Sequence, residues 1–354
     1  MILHNKPAID NRESEAILRV LKSGWLAQGK EADKLEDEFC EYLGFKPGHA
    51  ALVSSGSAAL LVVLVSLGVK RGDEVIVPTY VCSALLNAID LIGAKPVLTD
   101  VDPNDFNISY SDTLKKINSK TKAIIVPHIF GMPADVDKFT GLGVPVIEDC
   151  AQAIGSKINR KMVGTFGAAS IFSFYASKVI TTGYGGMVFS KDRKVIDNAK
   201  DYREFDCRKQ YKSRFNFKIS DINAAIGRIQ LKKITAFLAK RKKISREYRK
   251  ILPSELCWPP IVENREPNFY RFLVKTRLAP GLGDYFKGKG IKTIVPIQSG
   301  ELLHRYLGME RRNFPVSEAI AKTTLSLPVY PELTDIELDK IKRALKSFLY
   351  KNNI

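Results

Sequence analysis

The chain has 354 residues, 45% of them hydrophobic and 26% charged, which is enough for a large buried core and, we expect, for two domains. Its longest apolar run, residues 58–69, is shorter than the ~20 residues that a membrane span requires, and the first ten residues lack the basic and apolar stretches of a signal peptide. We therefore expect a cytoplasmic protein without a membrane partner, and five scattered cysteines with no C-x-x-C pair favour neither a disulfide framework nor a metal site.

The net charge of +17 raises the question of a nucleic-acid partner. Charge alone supports only non-specific attraction to polyanions. The basic residues alternate with apolar ones, as in residues 238–252, which is typical of the solvated face of an amphipathic helix. The sequence contains neither zinc-finger spacing nor an RNA-binding aromatic motif. We therefore expect no nucleic-acid partner.

Short apolar runs bounded by Gly, Pro or Asp alternate with helical segments along the first part of the chain. This pattern predicts an α/β fold with a mostly parallel sheet covered on both faces. After about residue 230 the pattern changes to a long basic helix and shorter mixed elements. We predict a large α/β domain over residues 1–232 and a smaller α+β domain over residues 233–354. The predicted strands are residues 51–55, 73–78, 95–102, 122–131, 144–150, 168–174 and 185–190.

Residues that follow the predicted strands carry distinctive chemistry, and ligands of parallel α/β sheets bind at those strand ends. Gly56 and Ser57 open a helix whose N-terminus would attract an anion, although a serine there is often only an N-cap. Asp149 closes an apolar run, where a carboxylate requires a cation or strong donors; a structural salt bridge or a helix cap would also satisfy it. Lys178 lies between aromatic and glycine-rich residues, and the alternative for it is an ordinary exposed loop lysine.

Four motifs in order resemble the DegT/StrS family of sugar aminotransferases. They are S-G-S-A at residues 55–58, P-H-I-F-G at 127–131, E-D-C-A-Q-A at 148–153, and F-S-F-x-x-x-K-x-x-T-T-G-x-G-G at 172–186. Residues 23–39, 216–231 and 325–338 also resemble segments of that family, so the resemblance covers nearly the whole chain.

The resemblance implies a fold of the aspartate aminotransferase type (fold type I) and a pyridoxal 5′-phosphate cofactor. It implies that Lys178 holds the cofactor as an internal aldimine and that Asp149 faces the pyridine nitrogen. Asn216 would reach the cofactor phosphate of the neighbouring subunit, which implies a homodimer with shared active sites. The other residues implied to contact the cofactor are Gln152 near the ring hydroxyl, Gly56, Ser57 and Ser173 at the phosphate, and Tyr80 or Cys82 at the ring face. Most relatives have an aromatic residue at the position of Cys82.

The resemblance also implies the reaction. An amino donor, usually glutamate in the family, would give its nitrogen to the cofactor, and a keto sugar, expected to be nucleotide-linked, would receive it in a ping-pong scheme. Lys178 argues against the dehydratase branch of the family, which has histidine at that position. Two alternatives remain open: another pyridoxal-phosphate reaction such as elimination, and a non-catalytic regulatory or binding relative. Candidate contacts for a substrate diphosphate are Lys212, Arg214 and Lys218.

Overall fold

A computed structural model describes residues 1–353 of the chain. In that part of the chain no helix has both the length and the apolar composition needed to cross a membrane. The α-helices are α1 (Asn11–Ser23), α2 (Lys30–Tyr42), α3 (Gly56–Ser66), α4 (Ala84–Leu91), α5 (Tyr110–Lys116), α6 (Val136–Thr140), α7 (Arg193–Tyr202), α8 (Asp221–Arg249), α9 (Ala279–Gly288), α10 (Leu303–Tyr306), α11 (Pro315–Thr323) and α12 (Asp335–Lys351). The strands are β1 (Ala50–Val53), β2 (Glu74–Pro78), β3 (Lys95–Thr99), β4 (Thr121–Pro127), β5 (Val146–Asp149), β6 (Lys157–Ile158), β7 (Lys161–Met162), β8 (Ala169–Ser173), β9 (Gly186–Phe189), β10 (Cys257–Trp258), β11 (Arg265–Glu266), β12 (Phe272–Lys275) and β13 (Thr324–Leu327).

A seven-stranded sheet forms the centre of the molecule, in the order β1-β9-β8-β5-β4-β2-β3. Strand β9 pairs antiparallel with both β1 and β8, whereas the other pairings are parallel. Each of the seven predicted apolar runs overlaps one strand of this sheet. The prediction of an α/β fold with a large, mostly parallel sheet is confirmed. The carboxyl ends of β1, β2, β4, β5 and β8 lie along one edge, and that edge carries the predicted site residues.

Apolar side chains cover both faces of this sheet because its strands are buried on two sides. Leu52 of β1 packs in a cluster with Phe39 of α2, on one face. Val53, its neighbour in the strand, points to the other face and packs in a cluster with α3. Helix α3 is apolar all round and its residues 58–64 are buried, as expected for a helix enclosed between the sheet and other elements.

A second apolar core lies around the three-stranded sheet β10-β12-β13 and helices α9 and α12. Helix α8 joins the two cores: Ile234 and Phe237 pack in the core of the large sheet, and Ile244 and Tyr248 pack in the second core. The predicted boundary between residues 232 and 233 falls inside this continuous helix. The division of the chain into domains 1–232 and 233–354 therefore stays a prediction.

Candidate active site

A cavity of about 310 Å³ opens at the carboxyl edge of the large sheet, and we call it the Lys178 cavity. Most of the polar residues predicted from separate motifs meet here, because the strands that carry them are neighbours in the sheet. The cavity is lined by Ser55, Gly56, Ser57, Leu60, Cys82, Ala84, Leu85, Asp149, Ala151, Ile171, Ser173, Tyr175, Lys178, Tyr184 and Gly185.

The N-terminus of α3 forms one wall of the Lys178 cavity. Ser55 is the N-cap, and its Oγ accepts a hydrogen bond of 3.0 Å from the Ala58 amide. Gly56 packs so closely against the end of β8 that a Cβ on it would lie 2.8 Å from the Cβ of Ser173. Only glycine allows this approach. The wall therefore offers the Ser57 and Ser173 hydroxyls beside the positive end of a helix, which suits an anion such as a phosphate.

Asp149, the last residue of β5, forms the floor of the Lys178 cavity. Its side chain is buried, and its Oδ1 accepts a hydrogen bond of 2.9 Å from the Ala151 amide. Burial raises the pKa of Asp149, and the Ala151 amide and the charge of Lys178 oppose that shift without cancelling it. A buried carboxylate with so little compensation suits a site where a cationic ligand group completes its environment.

Glu148, the residue before Asp149, points to the opposite face of the sheet and has a structural role. It is fully buried, and its oxygens accept hydrogen bonds from His128 Nε2 at 3.0 Å and from the amides of Gly164, Phe166 and Gly167 at 2.7–2.8 Å. Although burial opposes ionisation, the His128 and amide donors outweigh it and lower the pKa of Glu148. Glu148 lies close to Cys150 as well as His128. The oxygens of Glu148 already accept the four hydrogen bonds described above, so Glu148 acts as a hydrogen-bonded brace for the end of β5.

Lys178 lies in the turn between β8 and β9, and its side chain is half-buried. Its Nζ is 5.5 Å from the centre of the Tyr270 ring, which approaches from the segment before β12. The N-terminal segment also reaches this turn, since Asn5 Nδ2 donates a hydrogen bond of 2.9 Å to the carbonyl of Ser177. Lys178 is thus not an ordinary loop lysine: an aromatic ring and a distant part of the chain fix the turn that presents it.

The structure brings together Gly56, Ser57, Cys82, Asp149, Ser173 and Lys178, six of the nine predicted site residues, around the Lys178 cavity.

Tyr80 does not fit the predicted role at the ring face. Its side chain is fully buried, and its ring packs edge-on against Phe106 and Phe130 at centroid distances of 6.2 and 5.9 Å. Together with Trp258 and Leu273, these rings form an apolar cluster between the large sheet and the second core. These apolar partners, distant in sequence, engage the ring, and Tyr80 is not part of the cavity lining, so its packing does not support stacking on a cofactor, which stays a prediction. Cys82 lies at the cavity instead.

Two more predicted residues lie outside the cavity lining. Gln152 accepts a hydrogen bond of 2.8 Å from the Phe130 amide through its Oε1, so its side chain is engaged with the backbone. Asn216 is exposed, between the stacked rings of Phe215 and Phe217. An exposed position is compatible with the prediction that Asn216 serves a neighbouring subunit, which stays a prediction.

The three cations predicted to contact a diphosphate are paired within the chain. Lys212 and Arg214 form ion pairs with Asp201 at 2.8 and 3.0 Å. Lys218 contacts Glu204 at 3.1 Å and Asp206 at 3.3 Å. The three side chains are therefore already engaged with acids of this chain, although Lys212, Arg214 and Arg208 share the single charge of Asp201.

The sequence-based prediction of the site missed several residues. Tyr175 and Tyr184 line the cavity with exposed rings that contact each other at a centroid distance of 5.5 Å, and aromatic side chains around a glycine-rich turn are the signal that could have identified them. Tyr270 and Asn5 gave no such signal, because they lie about a hundred or more positions from Lys178 in the sequence.

Comparison with known proteins agrees with this geometry. Residues 7–346 match the model of the DegT/DnrJ/EryC1/StrS aminotransferase family. The chain belongs to this family. Its relatives include two proteins named GDP-perosamine synthase, one from Vibrio cholerae (33% identical, covering 98% of this chain and 99% of that protein) and one from Escherichia coli O157:H7 (32% identical, 97% of each).

Solved structures show the same fold. The aminotransferase TlmJ from Streptoalloteichus hindustanus superposes with a TM-score of 0.92 at 27% identity over 100% of both chains. Helicobacter pylori PseC, an aminotransferase involved in the biosynthesis of pseudoaminic acid, gives a TM-score of 0.89 at 26% identity over 98% of this chain and 99% of that one. Aminotransferases of this family depend on pyridoxal phosphate, and the chain is an aminotransferase of that family.

Proposed function

We propose that this protein transfers an amino group from glutamate to the keto group of a nucleotide-linked sugar, with pyridoxal 5′-phosphate bound in the Lys178 cavity. The observation that carries the proposal is the meeting of Lys178, Asp149 and the α3 N-terminus in one cavity. The V. cholerae and E. coli relatives, named for a GDP-linked amino sugar, support a nucleotide-linked acceptor. In the overall reaction glutamate and the keto sugar give 2-oxoglutarate and the amino sugar.

The cavity fits the cofactor in three respects. The Gly56 approach and the Ser57 and Ser173 hydroxyls make a cradle for a phosphate at a helix N-terminus. The buried Asp149 carboxylate lacks a full set of partners and suits a protonated ring nitrogen. The half-buried Lys178 amine borders the same cavity, as covalent attachment of an aldehyde requires.

When bound, the cofactor supplies a conjugated ring that accepts electrons as the proton leaves the donor carbon. The residues of this chain do the rest. Asp149 keeps the ring nitrogen protonated through its negative charge. Lys178 Nζ takes the proton from the donor carbon in the first half of the reaction and delivers one to the acceptor carbon in the second. Ser57 and Ser173 fix the phosphate, so that the reacting carbon stays beside Lys178.

We also propose that the working unit is a homodimer in which Asn216 reaches the cofactor phosphate of the partner subunit. The exposure of Asn216 and its absence from the cavity lining of its own chain support this arrangement.

The proposal is tested on Lys178→Ala. We expect the wild-type protein to absorb in the visible range and to change its spectrum on addition of glutamate, and the variant to do neither. Reduction of the wild-type protein with borohydride and peptide mapping should place the label on Lys178. The matched control is Lys157→Ala, a half-exposed lysine of β6 outside the cavity lining, which should react as the wild type does. A label on another lysine would overturn the assignment, and loss of water from the sugar in place of amino-sugar formation would identify an elimination reaction instead.

A further inference from the structure

Arg271, directly before β12, carries a guanidinium that is not neutralised by the residues around it. Its Cζ lies 5.1 Å from the centre of the Tyr270 ring and 5.7 Å from that of Phe130. Its Nε is buried and has no hydrogen-bond partner among residues 1–353. A buried donor without an acceptor is costly, and arginine is rarely buried unless it is paired. Arg271 therefore needs an acceptor that the described residues do not supply.

The unpartnered guanidinium and the proposed reacting amine both border the ring of Tyr270. Tyr270 contacts both groups, since the Lys178 Nζ is 5.5 Å and the Arg271 Cζ 5.1 Å from the centre of the same ring. The two cations are therefore separated by no more than the sum of these distances. An anion held by Arg271 could therefore belong to the same small molecule as a carbon that reacts beside Lys178.

The surroundings of Arg271 are positive. Arg241 is buried, and its Nη1 donates only to carbonyl oxygens, those of Phe269, Tyr270 and Val329. The charged groups that act most strongly on His4 are Arg271, Lys292 and Arg241. Burial and these three charges lower the pKa of His4 to about 3, so His4 stays neutral. The region between Lys178 and the second core therefore attracts negative charge.

We propose that Arg271 binds a carboxylate of the amino donor in the first half of the reaction. This inference rests on the proposed function. A planar guanidinium matches a carboxylate through two parallel hydrogen bonds, better than a lysine would. Both carboxylates of a donor such as glutamate lie within a few bonds of the reacting carbon, whereas the diphosphate of a nucleotide sugar is separated from a keto carbon by the sugar ring. The upper limit on the distance between Arg271 and Lys178 is compatible with the span of an amino acid such as glutamate, which favours the donor.

The contrast with the loop around Asn216 supports the same assignment. Lys212, Arg214 and Lys218 each form an ion pair with an acid of this chain, Lys212 and Arg214 with the same Asp201. Arg271 differs from them because its guanidinium rests on aromatic rings and its Nε has no acceptor.

Arg271→Gln in the cofactor-loaded enzyme tests the proposal. We expect the apparent dissociation constant for glutamate, measured from the spectral change of the first half-reaction, to rise by about tenfold or more, as the loss of a bidentate charged pair implies. The second half-reaction, run in reverse with a nucleotide-linked amino sugar, should change by less than about twofold. The apparent dissociation constant of Arg271→Lys for glutamate should lie between those of the wild type and Arg271→Gln. This variant also provides a test if the glutamine variant does not fold. The matched control, Arg277→Gln, removes an exposed arginine of the same segment and should behave as the wild type.

Binding of glutarate, a dicarboxylate without an amino group, gives a readout that does not depend on turnover. We expect calorimetry to show that the loaded wild-type enzyme and Arg277→Gln bind glutarate and that Arg271→Gln binds it about tenfold more weakly or not at all. The inference would be overturned if Arg271→Gln bound glutamate and glutarate as tightly as the wild type does. It would also be overturned if the substitution impaired only the acceptor half-reaction. A wild-type enzyme that reacts with no amino acid would refute the proposed function instead, while glutarate binding would still decide the role of Arg271.

Discussion

At the scale of single residues, the ionisation of Asp149 links the proposed chemistry to the stability of the protein. We expect Asp149→Asn to fold and to bind the cofactor but to lose at least about a hundredfold in turnover, because an amide cannot hold the ring nitrogen protonated, as when another preorganised electrostatic partner is removed. Turnover measured beside Asp90→Asn, an exposed control, checks this. Near wild-type turnover would show that the carboxylate is structural.

Asp149→Asn, which should lower turnover, should raise the stability of the cofactor-free protein at neutral pH. The pKa of Asp149 is raised in the folded state, mainly by burial, so the folded state binds its proton more tightly than the unfolded state does. Its ionisation therefore reduces stability as the pH rises from the unfolded pKa, about 3.9, through the folded pKa. We expect Asp149→Asn to be more stable than the wild type at pH 7 and the difference to shrink as the pH falls toward 4. Urea unfolding at several pH values measures it, and an equal loss of stability at all pH values would contradict the assignment.

The packing of Tyr80 in the apolar cluster, outside the cavity lining, can be tested through its hydroxyl. Its hydroxyl is buried and forms no well-aligned hydrogen bond with residues 1–353, although the Thr324 side chain lies near it, so Tyr80→Phe should change the stability by less than about 1 kcal/mol and leave cofactor retention unchanged. Tyr248→Phe is the matched control: that ring is equally buried, but its hydroxyl donates a hydrogen bond of 2.8 Å to Pro328, so its loss should destabilise by about 1 kcal/mol. Thermal unfolding and cofactor absorbance measure both effects. Loss of cofactor from Tyr80→Phe would restore a role for Tyr80 in binding.

At the scale of secondary structure, the buried Glu148 joins strands β4 and β5 to the turn before β8. We expect Glu148→Gln to destabilise the fold by roughly 3 kcal/mol, because an amide cannot accept all the hydrogen bonds that the carboxylate accepts. The pKa of Glu148 is lowered in the folded state, so its contribution is present above the unfolded pKa of about 4.3 and is lost as the pH falls through the folded pKa. Urea unfolding at several pH values from 7 to below 4, where the contribution should fade, checks this against Glu15→Gln, an exposed control. A small and pH-independent effect would contradict the role of Glu148 as a brace.

The sequence allowed prediction of the elements that local patterns encode. Apolar runs ending in Gly, Pro or Asp marked the strands, and parallel pairing then explains why Ser57, Asp149 and Ser173 meet. The position of Tyr80 depends on Phe106, Trp258 and Leu273, which no local pattern connects with it. Contacts over such separations come from tertiary packing, and the contribution of Tyr270 and Arg271 to the site was missed for the same reason.

At the scale of the whole molecule, the site is assembled between two cores. The large sheet supplies Asp149 and the α3 N-terminus, the segment before β12 supplies Tyr270 and Arg271, and the N-terminal segment supplies Asn5. Tyr270 packs in the core of the large sheet and Phe272 in the second core, so a shift of one core relative to the other would move the segment that carries the proposed donor-binding arginine between them. The continuous helix α8, which packs in both cores, opposes such a shift.

The proposed sharing of active sites in a homodimer predicts complementation between two damaged variants. Lys178→Ala removes the reacting amine of its own site, and Asn216→Asp places a negative charge beside the phosphate of the partner's site. In a mixed dimer one site would carry both defects, and the other would carry neither. Since half of randomly assorted dimers are mixed, equal amounts of the two inactive variants, co-expressed or dissociated and reassembled, should recover about a quarter of wild-type activity.

Activity is measured on the mixture and on each variant alone. The control for the charge change replaces Asn216→Asp by Asn104→Asp, at an exposed asparagine elsewhere. If Asn216 acted within its own subunit, the mixed dimer would contain no intact site, and the mixture would show only the average activity of its two components.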